Sequence, residues 1–156
     1  MTSLTHFIIR ALQKIRLGAP GEEAAHLALG RRGESEAYFY LKRQGYRMVS
    51  NNFRVPHDRG EIDLIGWDGK VLCFVEVKTR SDDSFAPPST AVTRQKQNRI
   101  RSVAKRYVRG LSARPSCRFD VLSVVPSAED GSCEFTLRKG AFSWDGDTQR
   151  SHRWPH

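Results

Sequence analysis

Two apolar runs flank a turn between residues 60 and 78, and each carries an acidic residue where the pattern predicts none. The first run is Gly60-Glu61-Ile62-Asp63-Leu64-Ile65 and the turn region is Gly66-Trp67-Asp68-Gly69. The second run is Val71-Leu72-Cys73-Phe74-Val75-Glu76-Val77-Lys78. Short apolar runs rich in β-branched and aromatic residues, separated by a turn dipeptide, read as a β-hairpin. A carboxylate inside such a strand is costly to bury unless a cation, a metal ion or hydrogen bonds compensate it. Any fold for this chain therefore has to provide partners for Asp63 and Glu76.

Strand side chains alternate between faces, so positions two apart share a face. In the second run Leu72, Phe74, Glu76 and Lys78 point one way, and Val71, Cys73, Val75 and Val77 the other. Glu76 and Lys78 are then about 7 Å apart along the strand. In the first run Glu61, Asp63 and Ile65 share a face opposite Ile62 and Leu64. A two-residue turn at Asp68-Gly69, the favoured hairpin dipeptide, sets Asp63 opposite Phe74 with Glu76 on the diagonal. A four-residue loop sets Asp63 directly opposite Glu76. Either even loop brings both carboxylates to one face, whereas an odd loop without a bulge separates them.

Two close carboxylates repel unless a cation lies between them, and hard oxygen donors suit Mg²⁺ or Mn²⁺ better than Zn²⁺. The Val77 carbonyl is a candidate further ligand. Lys78 is placed to orient water or to stabilise charge on a phosphate. The spacing of Asp63, Glu76 and Lys78 is not specific by itself, and a solvent-facing hairpin with a Glu–Lys surface pair stays open as an alternative.

The rest of the chain frames this hairpin. Gly18-Ala19-Pro20-Gly21 separates an N-terminal extension (1–20), readable as a short amphipathic helix, from a body spanning 21–144. Residues 22 to 44 suit a helix interrupted at Gly30 and Gly33, with Gly45 as its stop. Tyr46–Phe53 reads as a strand and Ser81–Ser89 as a loop. A basic helix is expected over Thr90–Arg109, followed by strands at Arg118–Val125 and Cys133–Leu137. The polar tail 145–156 reads as disordered. The order α-β-β-β-α-β-β predicts one α/β domain with a mixed central sheet flanked by helices.

The 156-residue chain has 26 Lys plus Arg against 17 Asp plus Glu, a net charge of +9. That surplus favours polyanionic partners, nucleic acid first. Arg80, Arg94, Lys96, Arg99, Arg101, Lys105 and Arg106 are candidates to track a phosphate backbone, and a merely solvated helix face is the bland alternative. Trp67 reads as a local turn residue before a base-stacking one, and Asp120 as a structural hydrogen-bonding or ion-pairing group. Three cysteines without a CxxC pair argue against a disulfide scaffold or a zinc ribbon and fit a reducing cytoplasm, with Cys73 a buried thiol. No apolar run approaches the length of a membrane span, so stable membrane insertion is not expected.

At these residues the chain resembles the PD-(D/E)xK nuclease superfamily, and within it the bacterial UPF0102 or YraN-like family, similar in fold to archaeal Holliday-junction resolvases. The matching segments are Gly30-Arg-Arg-Gly-Glu34, Gly60 to Ile65, Phe74-Val-Glu-Val-Lys-Thr-Arg80, Ala91-Val92 with Lys96, and Arg118-Phe-Asp-Val121. The resemblance implies a restriction-endonuclease-like fold and a metal-dependent endonuclease acting on DNA, including branched or structured DNA. It implies Asp63 and Glu76 as Mg²⁺ or Mn²⁺ ligands, Lys78 as the catalytic lysine and Glu34 as a supporting acid. Ile62 stands where the superfamily signature has proline, which leaves the Asp63 carboxylate unaffected. Dimerisation, as in many resolvase-like proteins, is left open. The alternative is a non-catalytic nucleic-acid-binding or protein-interaction module that uses the fold as a scaffold.

Overall fold

Glycine disfavours helix interiors, yet helix α1, Pro20–Arg43, runs through Gly30 and Gly33 without the expected interruption. Gly33 has a packing reason, because a Cβ there would lie 1.8 Å from Thr79 Oγ1 and 2.8 Å from Thr79 Cβ. The absent side chain lets α1 sit directly on the sheet. The computed structural model describes residues 20–80, 92–127 and 129–144. Residues 1–19 of the extension, the whole Ser81–Ser89 loop with Thr90 and Ala91, Ala128 and the tail from residue 145 lie outside the described residues.

The remaining elements are β1 (Arg47–Arg54), β2 (Glu61–Asp68), β3 (Val71–Thr79), α2 (Arg94–Arg109), β4 (Ser116–Pro126) and β5 (Cys133–Phe142). They form one five-stranded sheet in the order β1-β2-β3-β4-β5. Neighbours are antiparallel except β3 and β4, which run parallel. A parallel pair needs a crossover, and α2 lies in the connection that supplies it. The fold is thus α/β with a mixed central sheet, in the expected element order. Helix α2 begins later than Thr90 because Thr93 caps it, its hydroxyl accepting the Lys96 N–H at 3.3 Å. The last strand is longer than Cys133–Leu137, since its pairing with β4 continues to Phe142 opposite Phe119.

Each face of the sheet has its own core. Ala37 and Leu41 of α1 pack with Tyr46, Leu64, Cys73, Val75, Leu122 and Val124. Ile100, Val103, Ala104 and Val108 of α2 pack with residues that include Ile62, Ile65, Leu72, Phe74 and Phe119. Alternation in β3 therefore follows the expected pattern. In β2 it does not, because Leu64 faces α1 while Ile62, two residues earlier, packs on the α2 side. The break falls at Asp63. Across from it, between the pairs Asn51–Leu64 and Phe53–Ile62, Asn52 has a left-handed φ of 49°. A left-handed residue inside a strand disrupts the two-residue repeat, and asparagine tolerates that conformation better than most.

The tail end of the hairpin is pinned by a satisfied charge network. Arg118 donates to Asp120 Oδ1 at 2.8 Å, to Asp68 Oδ2 at 2.7 Å and to the Tyr46 hydroxyl at 3.0 Å. Lys139 Nζ reaches Asp68 at 2.8 Å, and the Gly140 N–H reaches the fully buried Asp120 at 2.9 Å. Asp120 is thus the structural group its setting suggested. Gly33→Ala is expected to lower stability by about 1–3 kcal/mol despite alanine's better helix propensity. Adding Thr79→Ala should recover part of the loss, read by urea unfolding of the single and double variants.

Candidate metal centre

The hairpin register decides where the two carboxylates lie. Pairing runs Asp68–Val71, Trp67–Leu72, Gly66–Cys73, Ile65–Phe74 and Leu64–Val75, so the turn residues are Gly69 and Lys70 rather than Asp68 and Gly69. Gly69 takes the positive φ of 59° that such a turn needs. Of the two expected registers this excludes the Asp63–Phe74 opposition: one more step of the same pairing sets Asp63 opposite Glu76, the other expected arrangement, reached through a two-residue turn. The Val77 N–H then donates to Asp63 Oδ2 at 2.7 Å, which orients that carboxylate across the strand pair.

Both acids are nearly buried, each 8 % exposed. Burial, then the charge of Glu76, pushes the Asp63 carboxyl up to about 8, against the pull of the Val77 N–H and Lys96. Glu34 adds to the upward push. Glu76 is also raised by burial, opposed chiefly by the charge of Lys96. Two buried carboxyls this close hold a proton or a cation between them, because both ionised together repel in a weakly screened site. Glu76 Oε2 accepts no hydrogen bond among the described residues. An orphaned buried oxygen beside a second carboxylate is a donor set that fits a hard divalent ion. Among the described residues, however, no three His, Cys, Asp or Glu groups cluster closely enough to complete such a site.

The other expected residues divide by position. Lys78 is half-buried on the face of Glu76 and its charge is felt there. Lys96 Nζ lies 3.2 Å from Glu76 Oε2, which draws it into the site from α2. Glu34 lines a cleft of about 360 Å³ with Arg31, Ser35, Tyr38, Phe39, Asn51, Asn52 and Leu64. It stands near Asp63 without joining the pair directly. What the structure records for Val77 is its N–H bond to Asp63.

Arg94 and Arg99 are exposed on α2, and Arg80 is half-buried just past β3, its N–H bonded to Val124 O at 3.0 Å. Arg101 differs from its expected role as a backbone contact. It is buried, donates to Ser143 O at 2.7 Å and to Asn98 and Gln97, and lies over the Phe142 ring. Arg106 pairs with Asp58 at 3.8 Å. Trp67 packs partly buried against the core under Arg47, as a locally packed residue. The sequence alone does not place Asn52 and Tyr38 in this cleft; the Asn51-Asn52 pair inside a strand, where asparagine is disfavoured, is the signal for the former.

A family model described as "Uncharacterised protein family UPF0102" matches residues 33–124. The chain belongs to the UPF0102, YraN-like family. It is similar to a UPF0102 protein of Koribacter versatilis, 41% identical over 147 residues, which covers 94% of this chain and 100% of the relative. It is 45% identical to one from Solibacter usitatus over 114 residues, 72% of this chain and 84% of that one. The matched region of the UPF0102 chain holds Glu34, Asp63, Glu76, Lys78 and Lys96 together.

The raised Asp63 carboxyl gives a pH signature. A carboxyl raised in the folded state adds stability that is complete below the unfolded value near 3.8 and is lost as pH rises through about 8. In chelator, wild-type stability should fall between pH 4 and 8 by at most about 1.4 kcal/mol per pH unit. Asp63→Asn should flatten that slope, measured by denaturant midpoints across the range.

Proposed function

We propose that this protein is a divalent-metal-dependent phosphodiesterase acting on DNA. The observation that carries the reading is the buried, facing pair Asp63 and Glu76, with the Lys96 ammonium 3.2 Å from Glu76 Oε2. Asp63 and Glu76 would hold Mg²⁺ or Mn²⁺, with the Val77 carbonyl as a further ligand. When bound, the ion supplies charge stabilisation at a phosphoryl oxygen and a template that orients the reacting groups.

The chain's own residues do the rest. The Val77 N–H fixes the Asp63 carboxylate, so little reorganisation is needed when the ion arrives. Lys78, on the face of Glu76, holds an attacking water or the charge that builds on the phosphate. Glu34 contributes an acid from α1 to the same region. Arg94 and Arg99 at the start of α2, with Arg80 past β3, supply phosphate contacts that carry affinity without reading sequence. Structured or branched DNA is the substrate implied by the sequence resemblance to the PD-(D/E)xK nucleases. A reducing cytoplasm agrees with Cys73, Cys117 and Cys133, all free among the described residues. No helix among those residues is long and apolar enough to cross a membrane.

A second reading has its own observation. The absence of a third close donor among the described residues favours a nuclease fold kept as a non-catalytic scaffold for nucleic acid or protein. The two readings separate in one assay of branched and linear DNA with Mn²⁺. Asp63→Ala and Lys78→Ala are each expected to reduce cleavage by about 10²-fold or more while leaving folding and salt-dependent DNA binding near wild type. Equal cleavage by all three proteins would overturn the assigned site, and none by wild type with undiminished binding in both variants would favour the scaffold.

A further inference from the structure

Lys96 occupies a position where helix physics asks for the opposite charge. Thr93 caps α2, so Thr93-Arg94-Gln95-Lys96 has the spacing of a capping box, whose last position normally carries Glu or Gln. The first turn of α2 has no acidic residue, so the positive end of the helix faces its own cations. The compensation lies across the domain at Glu76, where Nζ stands 3.2 Å from Oε2.

That contact is incomplete. The ammonium stands at ion-pair distance, and beyond it Oε2 meets no described hydrogen-bond donor. A buried structural ion pair usually satisfies its remaining lone pairs, as Arg118 does at Asp68 and Asp120. The two partners also differ in freedom. The Glu76 side chain is 9% exposed and Lys96 is 36% exposed. The lysine is the partner able to leave.

We propose that Lys96 is a tethered counter-cation that neutralises Glu76 while the site holds no divalent ion and swings out when one binds. This rests on the metal reading of Asp63 and Glu76. An ammonium and a divalent ion cannot both sit against the same oxygen without strong like-charge repulsion. Divalent affinity is therefore set below what the carboxylates alone would give. Once displaced, the ammonium turns outward beside Arg94 and Arg99, where a phosphate can hold it. By linkage, phosphate capture and ion binding then favour one another.

The experiment is Mn²⁺ titration calorimetry without nucleic acid on wild type, Lys96→Met, Lys96→Gln, Lys96→Arg and Asp63→Asn, with thermal melts of each in EDTA. The expected result is about tenfold tighter Mn²⁺ binding by Lys96→Met or Lys96→Gln. Lys96→Arg should stay near wild type, and the two neutral variants should melt lower in EDTA. Binding measurable only in the neutral variants would support the proposal equally. Unchanged or weaker binding by both folded neutral variants, with normal wild-type binding that Asp63→Asn abolishes, would overturn the counter-cation and leave the metal site standing. No Mn²⁺ binding by wild type or the neutral variants would overturn the metal reading itself. If Lys96→Met does not fold, Lys96→Gln, which keeps a polar group on a similar stem, decides the matter alone.

Discussion

Two carboxylates facing each other across adjacent inner strands are the constraint around which the rest of this domain is arranged. Burying them requires proton, lysine or metal ion, and the sheet supplies a place for each. The Val77 N–H takes one oxygen of Asp63, and Lys96 stands over one oxygen of Glu76. The two apolar clusters seal both faces of the same strands and exclude the water that would otherwise make such a pair cheap. The left-handed Asn52 and the broken alternation at Asp63 belong to the same local problem, a charged residue inside a strand buried on both sides.

The two ends of the β2–β3 hairpin make an informative contrast. Near its turn, Asp68 meets Arg118 and Lys139, and its carboxyl is held down to about 2, first by the Lys139 hydrogen bond and then by Arg118. Asp120 beside it is fully buried and fully partnered. At the open end, Asp63 and Glu76 are nearly as buried, yet both are raised and one oxygen of Glu76 has only the Lys96 ammonium for a partner. Burial alone does not distinguish the two ends of this hairpin. Completeness of the partner set does.

Much of this was legible in the sequence, and the exceptions have physical causes. The element order and the faces of β3 follow from alternation, which is strong where both faces are covered. Glu76 as a charge inside an apolar run was visible for the same reason, as was Asp120. Local sequence leaves two registers open because Asp68-Gly69 and Gly69-Lys70 both suit a tight hairpin, and the Arg118–Asp68 pair that commits Asp68 to the strand is a long-range contact. Ile62 was assigned to the wrong face because strict alternation has no place for a left-handed residue on the neighbouring strand. Arg101 was invisible as a core residue, since its partners Ser143 and Phe142 come from the far end of the chain.

Gly33 immediately precedes Glu34, and Thr79 immediately follows Lys78. The contact between them therefore works as a gauge block between helix and sheet. The missing methyl sets how close the helix that carries Glu34 lies to the strand that carries Lys78, although neither residue takes part in the contact. The spacing between two elements of the candidate site is thus written into a van der Waals dimension one residue away from each candidate group.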